Sequence, residues 1–179
     1  MGKNVVKINR APVLTLWAAV VAERLGFDQE EALTLGKAMA GYTAQAKGQW
    51  LGIYEEKERS ASEPRPVEPD LVFVNLMGRS LPALMTPVGI RAAEKGQPSD
   101  PESVRRYLKS KFGENLDSAT EAMRALARSF PVDRLETEAY GLYERFRPKV
   151  EKGKRGWGAQ GVLDLEAIER LREAARKQS

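Results

Sequence analysis

Apolar residues recur at helical spacing over most of this chain. Pro12 stands where a first helix should begin, and Leu14, Trp17, Ala18, Val21 and Leu25 follow at three- and four-residue steps. The opposite side holds Thr15, Ala19 and Ala22, so this helix is apolar nearly all round and is expected at the centre of the core. Phe27-Asp28-Gln29-Glu30-Glu31 reads as a second start, with Asp28 as cap, Glu31 closing a capping box and Phe27 as a hydrophobic staple. That helix is expected to reach about Lys47 and to stop at Gly48. Its small residues, among them Gly36 and Ala40, allow a neighbouring backbone to come close.

The same pattern returns after residue 100. Asp100-Pro101 opens a helix carrying Val104, Leu108 and Phe112, closed by Gly113. Asp117 opens another, with Ala119, Met123, Leu126 and Phe130, stopped by Pro131. Asp133-x-x-Glu136 reads as a capping box ahead of Leu135, Ala139, Leu142 and Phe146, and Pro148 ends that helix. Asp164 caps a last helix bearing Leu165, Ile168, Leu171 and Ala175, with Glu166–Arg170 and Glu173–Lys177 spaced for ion pairs along its outer side.

Between the two helical parts the pattern breaks. Ser60–Asp70 contains three prolines and no helical spacing, as a linker or long loop would. Leu71–Met77 is the one good strand candidate; Gly78-Arg79 would turn it into Ser80–Met85 as a short hairpin, weakened by Pro82. Ala92–Pro101 reads as a second loop. The expectation is a mainly α fold: about six helices in an orthogonal, bundle-like arrangement, with one short β-hairpin around 71–85. A single helical domain would span 1–179, its loop 60–70 separating a helical hairpin (11–48) from a C-terminal helical part (100–177).

Composition fits a globular chain, with 42% hydrophobic and 30% charged residues among 179. It contains no Cys and no His. Disulfides, thiolate chemistry, Ser-His-Asp triads and zinc-hydrolase sites are excluded together. An enzyme would have to work with Asp, Glu, Lys, Tyr, Ser or Arg alone, so the expectation leans away from catalysis, with no cofactor and no metal. Lys3, Lys7 and Arg10 ahead of the apolar run Ala11–Ala22 imitate a signal peptide. The run is too short to span a bilayer and continues into Glu23-Arg24-Leu25-Gly26, a charged last turn with a glycine stop. A buried first helix is the favoured reading, and a cytoplasmic protein without membrane contact the expected setting.

Charge then singles out one region. Glu144–Gly158 holds six cations (Arg145, Arg147, Lys149, Lys152, Lys154, Arg155) against two acids, a local net of +4 equal to that of the whole chain. Without it, 23 basic residues face 23 acidic ones. With Trp157, the segment has the composition of a nucleic-acid contact, where cations neutralise phosphates and an aromatic stacks on a base. Four such contacts on duplex DNA would give a salt slope of about −3.6. The competing reading is a solvated loop anchored by a buried Trp157. Arg105, Arg106 and Lys109 form a second basic patch, and Arg124 and Arg128 a third, with Glu102 and Glu121 as expected partners.

Other motifs fade on inspection. Gly156-Trp157-Gly158-Ala159-Gln160-Gly161 matches G-x-G-x-x-G, but no strand pattern precedes it and no βαβ unit fits after it. A glycine-rich basic loop feeding a helix N-terminus remains. Val21–Leu35 fits a helix-turn-helix template, yet its second helix opens on acids that would repel phosphate, which favours an ordinary helical hairpin. Glu55, Glu56 and Glu58 read as a solvated run, and Tyr140 and Tyr143 as core residues.

Ala11–Gly26 and Arg155–Leu171 together resemble a family of small bacterial helical proteins with no assigned activity. The resemblance implies a bacterial, cytosolic origin and contributes no mechanism. The leading expectation is a non-enzymatic binding protein whose loop 145–161 contacts nucleic acid or another anionic partner. The alternatives are a structural or oligomerisation module that self-associates, and a His-free enzyme acting on an anionic small molecule.

Overall fold

A computed structural model describes residues 5–50, 71–94, 97–149 and 160–177. The chain is α+β. In order come β1 (Val5–Asn9), α1 (Arg10–Leu25), α2 (Gln29–Trp50), β2 (Leu71–Leu76), β3 (Arg79–Thr86), β4 (Gly89–Glu94), β5 (Gln97–Pro98), α3 (Pro101–Phe112), α4 (Leu116–Arg128), α5 (Val132–Phe146), β6 (Gln160–Asp164) and α6 (Leu165–Lys177). The expectation of a mainly α protein with one hairpin is therefore corrected: the strands form two antiparallel sheets, a ribbon β1-β6 and a four-stranded sheet β2-β3-β4-β5. Loop 60–70 lies outside the described residues.

Helix α1 is the axis of the fold. Every residue from Pro12 to Ala22 is buried, as the apolar wrap predicts, and the helix packs against α2, α3, α4, α5 and β1. Trp17 is fully buried; its indole N–H donates to Ala139 O (2.9 Å) and its ring meets Phe146 edge-on at 5.3 Å. At Gly36 the α1 and α2 backbones come so close that a Cβ would lie 2.4 Å from Thr15 O. Helix α1 ends at Gly26, whose φ of +116° suits glycine. Among the described residues no helix is long and apolar enough to cross a membrane.

The capping box at α2 forms: Asp28 N–H donates to Glu31 Oε1 (3.1 Å) and Glu31 N–H to Asp28 Oδ1 (2.8 Å). Glu31 does a second job. Its Oε2 accepts from Ile90 N–H (2.8 Å), and one turn on Thr34 Oγ1 accepts from Ala92 N–H (3.1 Å). Two α2 side chains thus satisfy the edge of β4 that faces away from β3. Of the acids at the N-terminal turn of α2, Glu31 is engaged by β4, while Asp28 and Glu30 remain exposed.

Several boundaries move. The β2–β3 turn is Met77-Gly78, with φ of 53° and 80°, the two positive values that a tight hairpin turn needs; Arg79 already belongs to β3. Residues 92–98, expected as loop, include the end of β4 and all of β5. Helix α2 runs through Gly48 to Trp50. Helices α4 and α5 begin at Leu116 and Val132, so Asp117 and Asp133 lie in their first turns and the Asp133–Glu136 capping box does not form.

Candidate anion-binding site

The cation-rich segment begins where α5 ends. Leu135, Ala139, Leu142, Tyr143 and Phe146 bury one face of that helix. Arg147 then leaves helical geometry (ψ 153°), its N–H closing the last turn on Tyr143 O at 2.7 Å, and Pro148 prevents continuation. Lys149 exchanges two backbone hydrogen bonds with Val162, each 3.1 Å. This bridge fastens Lys149 to β6. The approach is tight enough that a Cβ on Gly161 would sit 2.8 Å from Lys149 O and 3.0 Å from Pro148 Cβ, which is why glycine stands there.

A second clamp comes from the start of α1. Arg10 Nε donates to Pro148 O (3.0 Å), and Tyr143 Oη donates to Arg10 O (3.4 Å). Burial lowers the Arg10 guanidinium from its ordinary value, and the charge of Arg147 acts in the same direction. Burial pushes the Tyr143 phenol up. Two like charges are thus held close together at the foot of the segment.

These pieces enclose a cleft of about 480 Å³ between the outer face of the β1-β6 ribbon, the end of α5 and α6. Among the described residues its cations are Arg145, Arg147, Lys149 and Arg170, and its one carboxylate is Asp164. Val5, Val162, Ala167 and Leu171 supply aliphatic surface. Asp164 is engaged twice, accepting from Glu166 N–H (3.0 Å) as the expected cap of α6 and pairing with Arg170 at 3.4 Å. Arg145, Arg147 and Lys149 form no ion pair with a described residue. Arg145 also complements the negative end of the α5 dipole, a role any cation there would fill. Chemically, the cleft offers concentrated positive charge beside an apolar surface and no paired acid and base for proton transfer.

The remaining predicted residues divide. Lys152, Lys154, Arg155 and Trp157 lie outside the described residues. Arg105 pairs with Glu102, as expected, and lines a different cleft of about 240 Å³ between α1, α3 and α4; Arg106 and Lys109 are exposed on α3 and line neither cleft. Arg124 turns inward and pairs with Glu23 of α1 at 3.4 Å, where Glu121 was expected. Arg170 pairs with Asp164, where Glu166 was expected. The glycine-rich loop does not feed a helix directly, because β6 intervenes before α6.

Sequence reasoning missed Val5, Arg10, Val162 and Arg170. The alternation of Val-Val-Lys-Ile-Asn was a strand signal, with Val6 and Ile8 buried and Val5 and Lys7 exposed. It was obscured by the resemblance of Lys3, Lys7 and Arg10 to a targeting segment. Among the described residues no three acidic side chains converge as a metal site would require. Comparison with protein-family models, curated proteins and solved structures gave no match for this chain.

Proposed function

We propose that this is a non-enzymatic binding protein of the cytoplasm that holds the phosphate groups of nucleic acid in the cleft between the β1-β6 ribbon, the end of α5 and α6. The observation that carries the reading is the company kept by Arg145, Arg147 and Lys149. They come from the only region of charge excess in the sequence, they share one cleft with Arg170, and no described carboxylate is paired with them. Cations already paired gain little from a phosphate; unpaired ones release counterions when they meet it. The test is binding of a labelled oligonucleotide at low salt by wild type and by two variants, Arg145→Ala/Lys149→Ala and Lys152→Ala/Lys154→Ala/Arg155→Ala. Both variants should bind more weakly and with a shallower salt dependence. Absence of wild-type binding at low salt would remove the proposal.

A structural reading has one observation in its favour. The Lys149–Val162 bridge and the close packing of Gly161 on Pro148 and Lys149 fasten the end of α5 to the ribbon, as a scaffold element would be braced. Under that reading Trp157→Ala lowers the melting temperature and no ligand is found.

A further inference from the structure

We infer that the occupant of this cleft is a single strand of nucleic acid, one of whose bases lies on the aliphatic surface between the cations. The inference rests on the nucleic-acid reading above and adds the form of the ligand. Its starting point is the outer face of the ribbon. Val5 is 44% and Val162 42% exposed. Val5 stands opposite Asp164 and Val162 opposite Lys7, so the two valines are diagonal neighbours on one face. Ala167 and Leu171 of α6, both half-buried, continue that surface into the cleft.

A site for phosphate alone has no use for this surface. Double-stranded nucleic acid presents a sugar–phosphate exterior and keeps its base faces stacked inside, so the valines would stay wet or be covered by polar groups. A single strand can turn a base out of the stack. Its flat face then covers the aliphatic surface while the flanking phosphates meet cations from two directions, Arg145, Arg147 and Lys149 at the end of α5 and Arg170 on α6. Asp164, the one carboxylate among the described lining residues, already serves Glu166 N–H and Arg170. Aliphatic contact reads the presence of a base and not its identity, and binding is tolerant of sequence.

The experiment uses the full chain and three probes at low salt: a labelled mixed-sequence single strand of about 20 nucleotides, the same strand annealed to its complement, and inorganic polyphosphate as competitor. Wild type should hold the single strand about tenfold more tightly than the duplex, and polyphosphate should compete poorly. Val5→Thr/Val162→Thr keeps the β-branched shape at two exposed positions. It should bring single-strand affinity down to the level of the duplex. Equal binding of single strand and duplex, or tighter duplex binding, overturns the inference while leaving the charge-based reading standing. No binding of any probe removes both. The wild-type comparison decides the matter even if the double variant fails to fold.

Discussion

Two of the arginine-lined clefts among the described residues differ in what their cations already hold. In the cleft lined by α1, α2, α3 and α4, Arg105 is paired with Glu102 and Arg124 with Glu23. At the ribbon, Arg145, Arg147 and Lys149 have no carboxylate among the described residues. The residue types match, yet among the described residues both arginines of the first cleft are paired with carboxylates, whereas in the second only Arg170 is. A count of cations does not separate the two; the acceptors around each guanidinium do.

The largest effect should come from reversing charge in each cleft in turn. Arg145→Glu/Lys149→Glu is expected to weaken oligonucleotide binding about a hundredfold at low salt, with the melting temperature moved by no more than a few degrees. Arg105→Glu/Arg124→Glu should leave binding nearly unchanged and lower the melting temperature instead. If the second pair weakens binding as much as the first, the distinction is wrong.

Gly161→Ala probes the geometry that brings Lys149 to the ribbon. The added methyl meets backbone and the proline ring, not a flexible side-chain tip, so a loss of about 1–3 kcal/mol is expected on thermal or denaturant unfolding. Oligonucleotide binding should weaken with it, since the bridge positions Lys149. A variant as stable as wild type would mean that the bridge gives way easily.

Alkaline titration compares what lies behind each cleft. Burial raises both Tyr143, at the foot of the ribbon cleft, and Tyr107 on α3. Above about pH 10 an unfolded tyrosine gives up its proton while folded Tyr143 keeps it. The unfolded state then binds fewer protons, so stability present below that pH is lost as pH rises toward the folded value, by at most about 1.4 kcal/mol per unit. Tyr143→Phe should flatten the decline more than Tyr107→Phe, because Tyr143 is the more deeply buried. The reverse order would contradict the burial argument.

The smallest effect is the sharpest test of the rule itself. Glu23→Gln frees Arg124 from its pair. Because both partners are partly exposed, the stability change should stay below about 1 kcal/mol. Weak oligonucleotide binding by Arg145→Glu/Lys149→Glu should then recover in part when Glu23→Gln is added. No recovery would show that an unpaired cation in the α1/α3/α4 cleft is not enough.

Helices were legible because each carries its own signal. The three- and four-residue spacing from Leu14 to Leu25, the Asp28–Glu31 box, the Asp100 cap and the Pro148 stop are local, and all four are where the pattern puts them. Strands were legible only where a turn joined them, as at Met77-Gly78. Strand β1 is five residues long and its partner β6 follows almost the whole length of the chain later, so no nearby turn announces the pair. Strand β4 (Gly89-Ile90-Arg91-Ala92-Ala93-Glu94) lacks alternation because Arg91 and Ala92, on opposite faces, are both buried. The charge of the candidate site was plain in the sequence. Its apolar surface was not, because Val5 and Val162 become neighbours only through long-range pairing.

That pairing also sets an order of events. Val5–Asn9 is synthesised long before Gln160–Asp164 and waits for it, whereas α1 can meet α2 almost at once. Closing so long a loop must precede any return from the contact, so the ribbon should join after the helices have found one another. Arg145, Arg147 and Lys149 exist on the nascent chain before β6 does, but the surface beside them does not. A copy still emerging from the ribosome would carry the charge without the cleft, and competence to bind would report that folding had finished.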